Sequence, residues 1–445
     1  MGAERSPNLI VIMADDLGYG DVGYNGCSDI PTTHIDALAK GGVQFTNGYS
    51  AYSVCGPSRA GFITGRYQQR FGSERNPLYR PEDPNMGVPK SEKTIAEVLK
   101  PVGYTSKIIG KWHLGAHKET HHPLNRGFDE FYGHLGGSHY YFQEEMKFQD
   151  SYNLTKDREE TQQMRTWILR DHTPVEFKKH LTEQFTDEAV DFIERHKEKP
   201  FFLFMSYNAP HTPLQPAKEH LERVAHIEDE TRRLYAGLVV GLDDGVGQIM
   251  NKLRECMLEE NTLVFFMSDN GGNLKWGADN GVLRKGKGSA AEGGWHVPFL
   301  MQWKGVTSPT VYDQPVNSLD VLATIADLSG APLNPEKPLD GVNLIPYVTG
   351  EKQGAPHKAI FLRGDGSEGS YAVRMGDYKI ITYNGGKGRQ MFNLEKDISE
   401  EKDITEEFPE RFKEIDNVRA EWSKGLIEPV YLGLENSKKF KDKKK

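Results

Sequence analysis

Three apolar runs constrain this chain more than any other feature: residues 8–14 (NLIVIMA), 201–207 (FFLFMSY) and 263–268 (LVFFMS). Each is too short to cross a membrane and apolar at consecutive rather than alternate positions, so each must bury both faces. A strand covered on both faces belongs inside a parallel sheet, and parallel neighbours need long crossover connections. The intervening sequence supplies them. Residues 182–196 read as a helix, and about 228–256 set Leu234, Leu238, Leu242, Val246, Ile249 and Leu253 near a 3.6-residue period. Residues 94–99 open on a capping pattern, Thr94 with Glu97 three residues on, and 106–112 read as another strand. The alternation predicts an α/β domain with a mostly parallel central sheet flanked by helices. Chemistry in such folds sits beyond the carboxyl ends of the strands.

After residue 347 the pattern changes. Residues 359–363 (AIFLR), 371–375 (YAVRM) and 378–382 (YKIIT), separated by Gly-rich turns, predict a small antiparallel sheet, and 411–422 an amphipathic helix. A boundary near residue 350 divides a large domain, 1–350, from a small α+β domain, 351–445, that ends in a basic tail. Residues 138–171 are polar and weakly periodic, and read as a long insertion over the first domain.

The formal net charge is −9, and six lysines crowd into the last eight residues, so the rest of the chain is more acidic still. Such a chain repels polyanions unless cations are gathered locally, and no nucleic-acid partner is expected. Three cysteines cannot make a disulfide framework. No apolar run approaches a membrane span. The first six residues are polar and lead straight into a strand, so no signal peptide is expected at this end.

Two of the apolar runs end in oxygen donors: Asp15-Asp16 after the first, Asp269-Asn270-Gly271-Gly272 after the third. If those strands are neighbours, Asp15, Asp16, Asp269 and Asn270 converge on one hard cation such as Ca²⁺ or Mg²⁺. Residues 18–23 match G-x-G-x-x-G, but Asp15, Asp16 and Asp21 would oppose a pyrophosphate, and Pro31 and the polar residues before it deny the immediate helix that motif requires. His113, His117 and His121 have helical spacing suited to zinc, with His122 adjacent, but Gly115 and Pro123 break the helix.

Cys55 opens CGPSRAGFITG, residues 55–65. Pro57 and the following run predict a helix starting just after Cys55, which sets the thiol at a positive helix end. A lone cysteine is ordinarily a small buried thiol. A cysteine phosphatase loop would need arginine at position 61, where this chain has Gly61; Arg59 stands instead four residues after Cys55.

Cys55-x-Pro57-Ser58-Arg59 with Thr64-Gly65 resembles the signature of the formylglycine-dependent sulfatases of the alkaline phosphatase superfamily. The resemblance continues in that family's order through Gly110-Lys111-Trp112-His113-Leu114-Gly115, Ala209-Pro210-His211-Thr212-Pro213, Ser268-Asp269-Asn270-Gly271-Gly272 and Gly286-Lys287-Gly288 with Glu292-Gly293-Gly294. It implies an alkaline-phosphatase-like large domain and a small second domain. It also implies that Cys55 is converted by a formylglycine-generating maturation enzyme, and that Asp15, Asp16, Asp269 and Asn270 hold Ca²⁺. Asp269 would also take the attacking proton. By the same resemblance Arg59 steadies the nucleophile, Lys111 contacts nucleophile and sulfate, and His113 is the base that releases the product. His211 and Lys287 face the leaving oxygen, His211 being the better general acid because an imidazole titrates near neutral pH.

For substrate, the Phe131-Tyr132-Gly133 and Gly136–Tyr141 stretches, with Arg363 and Asp365, resemble pocket linings of relatives acting on sulfated sugars, and the 66–72 continuation resembles bacterial polysaccharide sulfatases. Expected substrate contacts are His139, Tyr140, Arg363, Asp365 and His296; His296 stands where many relatives carry arginine. The expected activity is hydrolysis of a carbohydrate sulfate ester, in a periplasmic or secreted setting. The alternatives are a phosphonate or phosphate ester hydrolase on the same scaffold, and a non-catalytic glycan-binding protein should Cys55 stay a thiol.

Overall fold

The computed structural model describes residues 6–146 and 166–433. The strands in chain order are β1 (Asn8–Ala14), β2 (Val43–Phe45), β3 (Gly48–Tyr49), β4 (Thr105–Lys111), β5 (Glu130–His134), β6 (Ile168–Arg170), β7 (Thr173–Val175) and β8 (Phe201–Ser206). They continue as β9 (Thr262–Ser268), β10 (Phe299–Gln302), β11 (Thr310–Tyr312), β12 (Val316–Asn317), β13 (Ile360–Gly364), β14 (Ser370–Met375), β15 (Tyr378–Tyr383) and β16 (Gly388–Asn393). One ten-stranded sheet runs β11-β2-β10-β9-β1-β8-β4-β5-β6-β7, and its five central strands, β9 to β5, are mutually parallel.

The consecutive apolar pattern explains the layering. In β1, Leu9, Val11 and Met13 face one layer while Ile10, Ile12 and Ala14 face the other, the two-residue alternation of a strand. The second set packs under the helices Thr33–Gly41, Leu181–His196 and Glu230–Glu255, where Leu238, Leu242, Val246 and Ile249 form the buried stripe. The first set packs against Cys55–Thr64, Ile95–Leu99 and Asp320–Ser329, with Phe62 against Phe204 at 5.0 Å between ring centroids. The Thr94–Glu97 capping box forms as read, the Thr94 side chain accepting from Glu97 N at 3.1 Å.

The antiparallel sheet β13–β16 is a second unit. The helix Pro409–Ser423 covers one face through Phe412 and Ile415; Tyr49, Tyr52 and Trp295 of the larger unit cover the other. The chain crosses between the two sheets after Val348.

The stretch 138–171 differs from its reading as an insertion alone. Its last residues form β6, which pairs antiparallel with β5 and extends the sheet; residues 147–165, like the basic tail, lie outside the described residues. No described helix is long and apolar enough to cross a membrane.

Candidate active site

The central strands end level. Ala14 pairs with Ser268, Met13 and Gly110 each with Ser206, and Lys111 with His134. Whatever follows these residues must emerge at one edge, and Asp15-Asp16, Asp269-Asn270, Lys111-His113 and the 208–211 turn do so. Two backbone bonds extend the ladder past the strands, Asp15 N to Ala209 O and Asp269 N to Ala14 O, both 3.0 Å. Gly110 makes the close approach possible: with φ +102, a Cβ there would lie 1.9 Å from Ser206 O.

The helix Cys55–Thr64 arrives at the same edge with Cys55 as its first residue, and Asn76 Oδ1 accepts from Gly56 N at 2.8 Å. Three cations surround the thiol, each on its own carboxylate. Arg59 Nε lies 2.8 Å from Asp269 Oδ2, Lys111 Nζ 2.7 Å from Asp15 Oδ2, and Lys287 Nζ 2.6 Å from Asp16 Oδ1. Lys287 Nζ also reaches Cys55 Sγ at 3.1 Å. Asn270 Nδ2 donates to Asp16 Oδ1 at 2.8 Å, and His211 Nε2 lies 3.7 Å from Asp16 Oδ2. Asp16 and His113 hold left-handed backbone, φ 66 and 56, which costs on the order of 1–3 kcal/mol each and marks a conformation imposed by its surroundings.

Burial and neighbouring charge set the protonation states. Burial pushes the Cys55 thiol up to about 12, against the pull of Lys111 and Lys287. Burial alone would raise Asp16, but Lys287, His211 and Lys111 hold it well below the carboxylate range. Burial raises Asp269 to about 6 although Arg59 opposes it. His113 falls far below the usual imidazole value through burial, then Lys111 and Arg59. His211 falls to about 3, chiefly through burial. Burial first, then Lys287 and Lys111, thus lower His211 from the near-neutral value expected of an imidazole, while Asp16 opposes them.

The donor set fits a hard cation. Asp15 Oδ1 and Asn270 Oδ1 are buried without a hydrogen-bond partner, beside the oxygens of Asp16 and Asp269. Ligand atoms of Asp15, Asp16, Cys55 and His211 lie within 4.8 Å of one another. Among the described residues the zinc reading finds no such cluster: His122 Nε2 contacts Asp171 O at 3.0 Å and its Nδ1 accepts from Leu124 N.

The expected substrate contacts separate. His139 and Tyr140 follow β5, His139 buried with Nδ1 2.7 Å from Tyr140 O. Asp365 pairs with Arg75 at 2.6 Å on the wall of a cavity of about 380 Å³ that also includes Tyr52, Val54 and Gly288. Two expectations need correction. His296 places Nδ1 2.9 Å from Glu292 Oε2 and Nε2 2.8 Å from Thr46 O, so both ring nitrogens are committed within the protein. Arg363 is buried, pairing with Glu74 and donating to Ile427 O, so its guanidinium braces the rim instead of facing a ligand.

The sulfatase family model matches residues 7–331. This chain is a sulfatase. It is 34% identical over 388 residues to an arylsulfatase of Hemicentrotus pulcherrimus, covering 84% of this chain and 67% of that protein. It is likewise 34% identical to the human N-acetylgalactosamine-6-sulfatase over 387 residues, 82% of this chain and 70% of that one. A solved structure described as Ps i-CgsB in complex with k-i-k-neocarrahexaose superposes with a TM-score of 0.89 at 38% identity, covering 96% and 95% of the two chains. The family as a whole works with a metal and a formylglycine.

Two contributors to this candidate site escaped the sequence reading. Ser206 Oγ accepts from Arg59 Nη1 at 2.5 Å and donates to Lys111 O at 2.6 Å, tying two cationic segments together. Its position as the last residue of an apolar strand was the available signal. Tyr141 Oη, 2.8 Å from both Asn208 O and His211 O, fastens the His211 turn; the sequence reading placed it only at the end of a pocket-lining stretch.

Proposed function

We propose that this sulfatase hydrolyses a sulfate ester on a poly- or oligosaccharide, with Cys55 converted to formylglycine and Asp15, Asp16, Asp269 and Asn270 holding Ca²⁺. The observation that carries the reading is the convergence of Arg59, Lys111 and Lys287 on three carboxylates around Cys55. Three cations against three carboxylates leave the pocket near neutral, so a bound divalent ion gives it the positive charge a sulfate needs. Converted and loaded, the site gains a geminal diol as nucleophile and a Lewis acid beside a sulfate oxygen.

The chain's own groups do the rest. Lys111 and Lys287 stand fixed where charge develops on the transferring group, with no reorganisation needed at the moment of reaction. Arg59 holds Asp269 and, through Ser206, the end of β4. Neutral His113 is the base for the product-releasing step. His211 keeps Nδ1 on Thr212 O at 2.8 Å, which turns Nε2 toward Asp16 and the leaving side; the negative charge of a bound ester favours its protonation against the burial and lysines that oppose it. Sugar rings have room in the cavities of about 380 and 460 Å³ that meet at Gly288 and Ala290. Tyr52 and Tyr383 in their walls offer faces for stacking. A maturation enzyme acting on Cys55, and a periplasmic or secreted location where sulfated polysaccharides occur, belong to this reading.

The test has two arms. Mass analysis of the Cys55 peptide should find it lighter by the difference between H₂S and O. Sulfate release from sulfated oligosaccharides should exceed phosphate release from matched esters and fall on chelation. An unmodified thiol in active protein, or phosphate as the better leaving product, would refute the reading.

A further inference from the structure

Lys287 belongs to a loop whose neighbours have no role in the chemistry above. The cavity of about 460 Å³ beside it is lined by Lys275, Lys285, Lys287, Ser289, Ser370 and Tyr383, among others. Lys287 links this cavity to the reacting position, lining the cavity while its Nζ lies 3.1 Å from Cys55 Sγ.

Lys285 is held in left-handed backbone, φ +62, which a β-carbon-bearing residue adopts only when its surroundings impose it. Its carbonyl accepts from Asn280 Nδ2 at 3.0 Å, and the same side chain binds Gly272 O at 3.2 Å, so the strained turn is fastened to the loop after β9. Lys275, on the 3₁₀ turn Leu274–Trp276, reaches the same cavity; its ammonium lies 5.0 Å from the Trp276 ring centroid. Neither lysine has an acidic partner within ion-pair distance among the described residues.

The neighbouring cavity is electrically different. There Arg75 is neutralised by Asp365 at 2.6 Å and Glu74 by Arg363 at Nε–Oε2 3.1 Å. Of these two cavities, the Lys275–Lys285 side is the one whose lysines have no acidic partner among the described residues.

We propose that Lys275 and Lys285 form a second anion subsite, taking a further sulfate or carboxylate carried by the sugar chain whose sulfate ester sits at Cys55. The proposal rests on the sulfatase reading above and adds which substrates the cleft selects. Each lysine gains a charge-assisted contact only when that second group is present, so the subsite separates multiply charged from singly charged chains.

Calorimetric binding of neocarrahexaoses with one or two sulfates per repeat to the full-length protein tests it without relying on turnover. The wild type should bind the more sulfated hexasaccharide about ten-fold more tightly. The double variant Lys275→Gln/Lys285→Gln should lose most of that preference, and Lys285→Arg should keep it. No binding, no preference in the wild type, or a preference that survives the double substitution would overturn the proposal. Hydrolysis of 4-nitrophenyl sulfate by the wild type tests the sulfatase reading separately, so the two can fail independently.

Discussion

Replacing Lys379 by methionine should cost this fold about 3–5 kcal/mol, although Lys379 touches no reacting group. Its ammonium is fully buried between two carboxylates, 2.6 Å from Glu292 Oε1 and 2.9 Å from Glu400 Oε1. At an effective dielectric of about 20, each pair with charge centres near 4 Å contributes about 4 kcal/mol. Loss of the ammonium leaves both carboxylates buried, with Arg374, His296 and Arg284 as partial compensation, which brings the net to the value above. Burial alone would raise the Glu292 carboxyl; Lys379 first, then His296 and Arg374, hold it well below its usual range. Activity should fall too, because Gly293 N donates to Arg284 O at 3.0 Å and so ties the Glu292 helix to the loop bearing Lys287. Urea unfolding would measure the stability loss. Adding Glu400→Gln to Lys379→Met should recover part of it, since one of the stranded charges is then gone. A loss below about 1 kcal/mol, or a double variant no better than the single, would refute the electrostatic account.

Two further outcomes are expected. Lys287→Ala should lower kcat on an aryl sulfate by about 10²–10³-fold, the usual consequence of removing one fixed charge donor from a reacting centre, with conversion of Cys55 verified by mass. At His357, burial alone would lower the imidazole, but the Asp320 carboxylate 2.8 Å away raises it above its usual value. That contribution to stability is fully present below about pH 6.5 and is lost as pH rises through the folded value. His357→Gln should therefore destabilise more at pH 6 than at pH 9 in matched denaturation curves, and an equal loss at both would contradict it.

The interior of the large sheet was legible because consecutive apolar residues have one physical solution, burial on both faces. Reading 106–112 for Thr105–Lys111 erred by one residue because Trp112 continues the apolar pattern after the backbone has turned. The strands β2, β3, β11 and β12, two or three residues long, are too short for any period. The strand β6 was hidden at the end of a polar stretch. At the site, spacing located the segments but not the direction of each side chain. His296 lies near Lys287 in sequence yet turns toward Glu292 and Thr46, and Arg363 turns toward Glu74, because buried carboxylates and carbonyls claimed them first. Nor did sequence indicate that burial would lower the His211 imidazole.

The place of β1 in the sheet has a consequence in time. Its partners are β8, near residue 200, and β9, which begins at Thr262, 254 residues after Asn8. At about 5–20 residues per second, a ribosome takes roughly 13–50 s to make that stretch. For about the first three quarters of that interval neither neighbour has been made, β9 is missing until its end, and Cys55, later enclosed at 2% exposure, lies on an unfinished chain. Lys287, which lies 3.1 Å from Cys55 Sγ, is made later still. The long crossovers that align the carboxyl ends thus also set a clock, within which any chemistry on Cys55 that needs an open chain must be finished.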